Sequence, residues 1–540
     1  MLKFTIRKKL DLLLSGWIQN HGIDALPLYS LEEPPKGIAC DLASNIALLV
    51  AKSLKTPPRT IAQELATLIE TQLSEYIKKV DVAGAGFLNI LIADTILYNA
   101  LAAGIACVKP TRSSSEKILI EFVSANPTGP LHIGHGRGAA IGDSLARIYE
   151  YMGYDIQREY YLNNIGNQML MLGKSLEIRY RQLSGETIDF PEDGYKGDYI
   201  KDIARTLIDQ KIPANSIDFK DTALKAMTAT IEQDLISFDV RFDTWTEESS
   251  IIDQVPVICE NLKTIGMAFE QEGALWFASS KYGDDKDRVL RRSDGRYTYL
   301  ASDIAYHKNK IERGFSKLIN LWGADHHGYV VRMKAAIQAL GQDPGVLTII
   351  LYQLVSLSRN GVPVAMSTRA GEFETLEDVV KEVGRDACRF FFMLRAPDSA
   401  LEFDLELAKK QSSENPVFYV QYVHARCCSI FREYELRSQK PFVFNPATIP
   451  LLATAAERNL LKKIAFFDDT LELCIKTNSP HHLTGYLMET ADLYHKFYEQ
   501  CRVLTDDHDL SSARLGLVHG IATTISIALN LLGVSAPKKM

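Results

Sequence analysis

Apolar residues recur at helical spacing through 2–20, 40–54 and 60–78, with polar residues filling the opposite faces. VAGAGFLNILI (82–92) breaks that period and reads as a Gly-punctuated turn entering a buried strand. A polar SSSEK stretch at 113–117 reads as a linker. KILIEFVSA (117–125) then forms a β-rich apolar run, followed by a Pro/Gly loop and a helical pattern from about 135 to 152. Strand, loop and helix in that order open a doubly wound α/β domain. Strand and helix patterns continue to about 400, through LINLWGADHHG (318–328) and LTIILYQLVSLS (347–358). A more polar region at about 175–275 interrupts them and reads as an insertion. From 406 onward the pattern is helical nearly throughout, and Asn415-Pro416 supplies an N-cap and a first helical residue.

These elements predict an α/β multidomain chain. A small α+β domain occupies 1–112, a Rossmann-type nucleotide-binding domain with the insertion occupies 113–405, and an all-α bundle occupies 406–540. A length of 540 residues exceeds what one core supports, in keeping with three or four domains.

Composition adds little and excludes some classes. With 46% hydrophobic and 24% charged residues the chain is that of an ordinary soluble protein. A net charge of −7 gives a nucleic-acid partner no support, although a local basic surface suffices for one. The eight cysteines contain no CxxC pair, so neither a metal site nor a compact disulfide framework is expected; reduced, buried thiols fit a cytoplasmic protein. The N-terminus lacks a long apolar core and a cleavage site. Gly520 to Pro537 carries no charge, but it is short for a bilayer and holds Thr523, Thr524, Ser526, Asn530 and Ser535, so a buried bundle helix is expected and no membrane contact.

The chemistry concentrates in SANPTGPLHIGHGRG. His132 and His135 stand three positions apart on the first turn of a helix, where unpaired backbone N–H groups and the dipole favour an anion. Gly134 would let a flat nucleoside lie against the backbone, and Gly136 and Gly138 would keep that helix end open. ATP suits such a site, with the imidazoles donating to its phosphates. His-x-Gly-His alone is moderately specific, arising by chance in about one such composition in sixty, and a pair of capping histidines or a metal pair are the alternatives. Its position after a strand and a Pro/Gly loop favours the nucleotide.

EFVSANPTGPLHIGHGRGAAIGDSLARI resembles the first signature of arginyl-tRNA synthetases, a class I family. REYYLNNIGNQM (158–169), FPEDGYKGDYI, DRVLRRSDGRYTYLASDIAYHKNKIERGF, LWGADHHGYVVRMKAAIQALG, GVPVAMSTRAGEFETLEDVVKEVGRDACRFFFMLR, ENPVFYVQYVHARCCSI and the closing VSAPKKM follow in the family's order over nearly the whole chain. The resemblance implies ATP-dependent activation of L-arginine and its transfer to tRNA(Arg). It places Gly323, Asp325, His326, Met366 and Ser367 with His132, Gly134 and His135 around ATP, and Glu121, Asn126, Tyr299, Asp303 and His327 around arginine. It puts anticodon recognition in the C-terminal bundle and tRNA-elbow contact in the N-terminal domain. It implies ATP with Mg²⁺, no structural metal, no DNA and a monomer.

The chain departs from the class pattern at one loop. Where a Lys-Met-Ser-Lys-Ser loop is usual, Ala365-Met366-Ser367-Thr368-Arg369 stands, and Gly129 occupies the place where some relatives carry a compensating lysine. Departing pyrophosphate still needs positive charge, which nominates Arg369, with Arg137 and Arg359 behind it and Mg²⁺ sharing the load. Arg359-Asn360-Gly361 itself reads as a hairpin tip. A guanidinium has five donors and no acceptor, so carboxylates such as Glu121 and Asp303 are the groups that would select it. In the bundle, Phe418, Tyr419, Tyr422, His424 and Arg426 crowd one helical stretch; Tyr419, Tyr422 and Arg426 are the residues expected to stack on tRNA bases.

Overall fold

A computed structural model describes residues 1–35, 37–38, 40–110, 116–364 and 375–540. At its centre five parallel strands run in the order Leu347–Tyr352, Lys317–Gly323, Lys117–Glu121, Asp155–Leu162, Thr244–Glu247. Lys117–Glu121 lies in the middle with four of its five residues buried, as a strand covered on both faces requires. The strands that follow it lie to one side, and those after residue 316 lie to the other. A topological switch point therefore separates Lys117–Glu121 from Lys317–Gly323, and a crevice opens at their C-terminal ends. The helix Ile133–Tyr151 returns from that crevice and packs so closely that a Cβ on Gly142 would come within 2.3 Å of the Phe122 ring.

The stretch 175–275, expected as an insertion, is not one body. Helices Asn167–Leu183, Asp198–Asp209 and Phe219–Ser237 enclose their own apolar cluster around Leu172, Leu176, Ile200 and Met227. Thr244–Glu247 then rejoins the central sheet as its edge strand, and a second small antiparallel sheet runs on to Arg291. The edge strand reads as polar because it is short, half-buried and alternates Thr-Trp-Thr-Glu.

In the N-terminal domain the helix Leu2–Asn20 matches its pattern. Two other boundaries differ. The expected helix 40–54 is the strand Leu42–Ser44 followed by the helix Ile46–Leu54, and the expected helix 60–78 is the helix Pro58–Gln72, after which Ile77–Ala83 pairs with Phe87–Ile92. Short strands merge into neighbouring helical patterns because three or four residues cannot establish a period.

The C-terminal bundle comprises Pro416–Ser438, Ala455–Ala465, Phe467–Thr477, His481–Gln500 and His508–Leu531. Asn415 caps the first of these, its Oδ1 accepting from Val417 N at 3.2 Å. His508–Leu531 is long and apolar enough to cross a membrane, but most of it is buried inside the bundle. This domain is bolted to the central helix Ile133–Tyr151. Fully buried Arg389 bonds Asp143 on that helix at 2.5 Å and the Leu532 carbonyl at 2.8 Å, while Arg147 reaches the Asn530 carbonyl at 3.3 Å.

Candidate active site

The mouth of the helix Ile133–Tyr151 is closed by its own two histidines. His132 is the N-cap, and its Nδ1 accepts from the backbone N–H groups of Gly134 at 3.1 Å and His135 at 3.3 Å. His135 Nδ1 accepts in return from His132 N at 3.4 Å, and the rings stack 3.6 Å apart. This is a capping box made of imidazoles. Burial pushes the His132 pKa down and brings His135 to about 3, so both rings are neutral. With Nδ1 committed as acceptor on each, the proton sits on Nε2, and each ring offers an Nε2–H donor. Capping and phosphate donation, set against each other by the sequence, are therefore compatible.

The neighbouring glycines act differently from expectation. Gly136 and Gly138 do not leave the helix end open; a Cβ there would lie 2.5 Å from Leu376 and 2.9 Å from the Tyr352 ring, so these positions allow close packing. At Gly134 a Cβ would meet, among the described residues, the His132 ring at 2.9 Å.

One wall of the crevice is acidic. Glu121 ends the central strand and is 7% exposed; Lys310, wholly buried, bonds its Oε2 at 2.5 Å and also reaches Asn320 Oδ1 at 3.3 Å. Val123 and Ser124 follow with φ of +67° and +42°, a strained reversal that brings Ser124 Oγ to Glu121 Oε1 at 3.0 Å. Asp303 stands one turn into the helix Tyr299–Glu312 and accepts from the Tyr329 hydroxyl. Burial raises its pKa to about 7, with the charges of Glu121 and Glu248 pushing the same way and the Tyr329 bond and Lys310 opposing. Glu248, itself buried and raised by that burial, hydrogen-bonds Ser302. Burial, with the same three carboxylates adding to it, raises the Tyr161 pKa and keeps its phenol protonated. Behind this wall His307 bridges the Asp303 carbonyl at 2.8 Å and the Asn320 amide at 3.0 Å, and burial brings its pKa to about 3. On this wall the buried Lys310 is paired with Glu121 and acts also on Asp303.

The remaining predicted residues divide. Asn126 lies in the loop beside the histidines and donates to Gln168 Oε1 at 2.8 Å. Gly323, Asp325 and His326 sit at the C-terminal edge of the strand adjoining Lys117–Glu121, with Asp325 and His326 paired at 3.6 Å. Tyr299 shares a helix with Asp303 but is 71% exposed, and His327 is exposed and makes no side-chain hydrogen bond to the acidic wall among the described residues. Met366, Ser367 and Arg369 lie outside the described residues. The chain resumes at Thr375, whose backbone bridges that of His132. Arg137 and Arg359 are not reserve cations. Arg137 is buried and spent on the Gln353 and Ala396 carbonyls, and Arg359, at the tip of the expected hairpin, is clamped by Glu382 and Glu406. The space a side chain at Gly129 would enter holds the Tyr199 phenol, 3.2 Å from the ideal Cβ.

Sequence reasoning missed Glu248, Lys310, Tyr161 and Tyr329. The only signal available was the charge of Lys310 on the same helix as Asp303, in a segment that reads as a solvated face.

In the bundle, Tyr419 stacks on His495 at 4.9 Å, Tyr422 lies parallel to the same imidazole at 6.1 Å, and Arg426 covers Tyr498 at 4.7 Å while bonding its hydroxyl. His424 turns inward to the Pro537 carbonyl. A partly exposed aromatic shelf with one guanidinium results.

Residues 3–92 match the model of the arginyl-tRNA synthetase N-terminal domain, 97–393 that of the class I (R) tRNA synthetase catalytic domain, and 420–540 that of the DALR anticodon binding domain. An arginine–tRNA ligase of Citrifermentans bemidjiense is 48% identical across 95% of both chains, and one of Nitratidesulfovibrio vulgaris strain DP4 is 44% identical across 99% of this chain and all of that one. The fold is shared with the solved Thermus thermophilus arginyl-tRNA synthetase, at a TM-score of 0.78 and 21% identity over 99% of this chain and all of that one. A strand-to-helix loop closed by two histidines, an acidic wall beside it and matches to all three domain models agree, and the chain belongs to the class I arginyl-tRNA synthetase family.

Proposed function

We propose that this chain is an arginine–tRNA ligase whose pocket selects arginine by charge. One observation carries the reading: Glu121, Asp303 and Glu248 converge around Tyr161, with Lys310 bonded to Glu121, in a buried acidic site suited to a cation with several donors. Arginine fills that need, its guanidinium meeting Asp303 and Glu121 while Asn126, Tyr299 and His327 line the rest. ATP lies across the helix mouth. His132 and His135 donate through Nε2–H to its phosphates, Gly134 lets it approach the backbone, and Gly323, Asp325 and His326 border it from the neighbouring strand.

The arginine carboxylate oxygen attacks the α-phosphorus in line, a bond to arginine forms and pyrophosphate leaves with the electron pair. A ribose hydroxyl of the tRNA 3′ end, initially the 2′, then attacks the activated carbonyl and AMP departs. No side-chain nucleophile takes part. Arg369, with Met366 and Ser367, meets the charge on the leaving pyrophosphate. Mg²⁺ arriving with the triphosphate would supply further positive charge against the leaving pyrophosphate. Tyr419, Tyr422 and Arg426 stack on anticodon-loop bases. The enzyme works as a cytoplasmic monomer.

ATP–pyrophosphate exchange with arginine, lysine and citrulline, each with and without tRNA(Arg), tests the reading. Exchange and charging with arginine alone are expected. Equal activity with citrulline, which has arginine's shape without its charge, would overturn it.

A further inference from the structure

The carboxylate of Asp303 is tied down from another element. Its Oδ2 accepts from the hydroxyl of Tyr329, the first residue of the helix Tyr329–Ala339, which follows the GADHHG block. The half-buried ring of Tyr329 is itself held on two sides. Trp322, near the end of the strand Lys317–Gly323, lies 5.8 Å from it, and the Arg332 guanidinium, one turn further along the helix, covers it at 5.0 Å. Arg332 is anchored from outside the central sheet, its Nε ion-paired with Asp284 Oδ2 at 3.5 Å. Asp284 is buried in the loop leading into the strand Arg288–Arg291, where Arg288 donates to it twice at 2.8 Å and Ser279 once at 3.0 Å. A line of contacts, Asp284 to Arg332 to Tyr329 to Asp303, thus runs from the small antiparallel sheet to the acidic wall.

We infer that Tyr329 is a positioning residue for arginine: it fixes the plane of the Asp303 carboxylate so that a guanidinium can engage it, and Arg332 in turn fixes Tyr329. The inference rests on the proposed arginine site and adds to it the groups that aim its carboxylate. A guanidinium donates from a rigid planar fork and needs an acceptor held in one plane, whereas the terminal torsion of an aspartate is broad. The charges around Asp303 would turn it. Glu121 and Glu248 repel it, and Lys310 attracts it while bonding Glu121 and Asn320 instead. Tyr161 stands beside the three carboxylates with its phenol protonated. Against these pulls the Tyr329 bond holds Oδ2. It takes one lone pair and leaves the other, with Oδ1, for a ligand. Burial, with Asp303 beside it, raises the Tyr329 phenol well above its ordinary value, so the hydroxyl is a donor throughout the working range.

Pyrophosphate exchange in the presence of tRNA(Arg) tests the inference with wild type, Tyr329→Phe, Arg332→Met and the double variant. Tyr329→Phe removes one oxygen and keeps the ring, so its packing on Trp322 and Arg332 survives. The KM for arginine should rise about tenfold, the loss of one hydrogen bond to a charged group, while the KM for ATP and kcat hold within about twofold. The acid limb of kcat/KM for arginine should move up by about one pH unit, because the phenol bond favours the ionised carboxylate and its removal raises Asp303. The loss should persist at about pH 9.5, where Asp303 is ionised with or without its partner. Arg332→Met should raise the arginine KM about threefold alone and not at all on top of Tyr329→Phe, since both act through one bond. An unchanged KM and acid limb in Tyr329→Phe, a loss that disappears at high pH, equal losses for arginine and ATP, or additive effects of the two substitutions would overturn the assignment. Wild type that fails to exchange pyrophosphate with arginine would instead defeat the underlying function, a separate readout.

Discussion

The two polar faces of the crevice are built on opposite plans. At the helix mouth His132 and His135 satisfy each other's backbone through contacts local in sequence, and burial disfavours their charged forms. On the acidic wall Glu121, Glu248 and Asp303 come from three distant elements and repel one another: Lys310 is bonded to Glu121, while burial and the other two carboxylates drive Asp303 up to about 7. A self-sufficient group makes a rigid donor that costs no reorganisation when charge develops. An unsatisfied group makes a selective one, because only the right ligand completes it. The mouth is therefore suited to the phosphate common to all ATP, and the wall to the feature that distinguishes one amino acid.

The contrast breaks most sharply at Asp303. Asp303→Asn should lower kcat/KM for arginine by about a thousandfold, since a bidentate charge-assisted pair is lost. Its melting temperature should hold or rise, because a crowded carboxylate is relieved. A large loss of stability would show that the wall is complete without substrate. Glu121→Gln should behave in the opposite sense. It strands the buried Lys310 ammonium and should cost about 3 kcal/mol of stability in denaturant unfolding. Adding Lys310→Met should recover most of that stability while leaving arginine activation impaired, which separates the two tasks of Glu121.

How much of each face the sequence disclosed follows from the same contrast. The histidine pair, the strand before it and the Asn415 cap are local, so spacing alone placed them. Glu121 and Asp303 were reachable only through resemblance, and Glu248 not at all, since it sits where a short edge strand made the whole region read as insertion. Lys310 lies in an alternation of charges that looks like a solvated face; its complete burial arises from a tertiary contact with a strand almost two hundred residues earlier. Gly136 and Gly138 were misread for the same reason, because Leu376 and Tyr352 come from far along the chain.

The mouth can be tested without disturbing the helix. Asparagine caps helices well, so His132→Asn keeps an acceptor for the N–H groups of Gly134 and His135 while removing the Nε2–H donor. Stability should change by less than about 1 kcal/mol, whereas pyrophosphate exchange should fall by about a hundredfold with the arginine KM unchanged. A matching collapse in stability would mean that capping was the pair's whole role.

The smallest effect separates the two faces by pH. Burial lowers His135 and His307 to about 3, below the unfolded value near 6.5, so their contribution to stability is complete above about pH 6.5 and is lost as pH falls toward 3. Asp303 is raised, so its contribution has the reverse sign: it is full at low pH and is lost as pH rises through 7. Arginine binding needs the carboxylate, however, and in the free enzyme Asp303 holds its proton below pH 7. Affinity for arginine should thus be level above about pH 7 and weaken by up to about tenfold per pH unit below it. Binding at pH 6.5 should release a proton, seen as a dependence of the calorimetric heat on the buffer's ionisation enthalpy. Asp303→Asn should flatten the profile, while His132→Asn should leave it in place, because burial lowers the histidine pKa and the titrating carboxylate lies on the other face. A profile that survives Asp303→Asn would move the titrating charge to Glu248 and make it the group that the guanidinium completes.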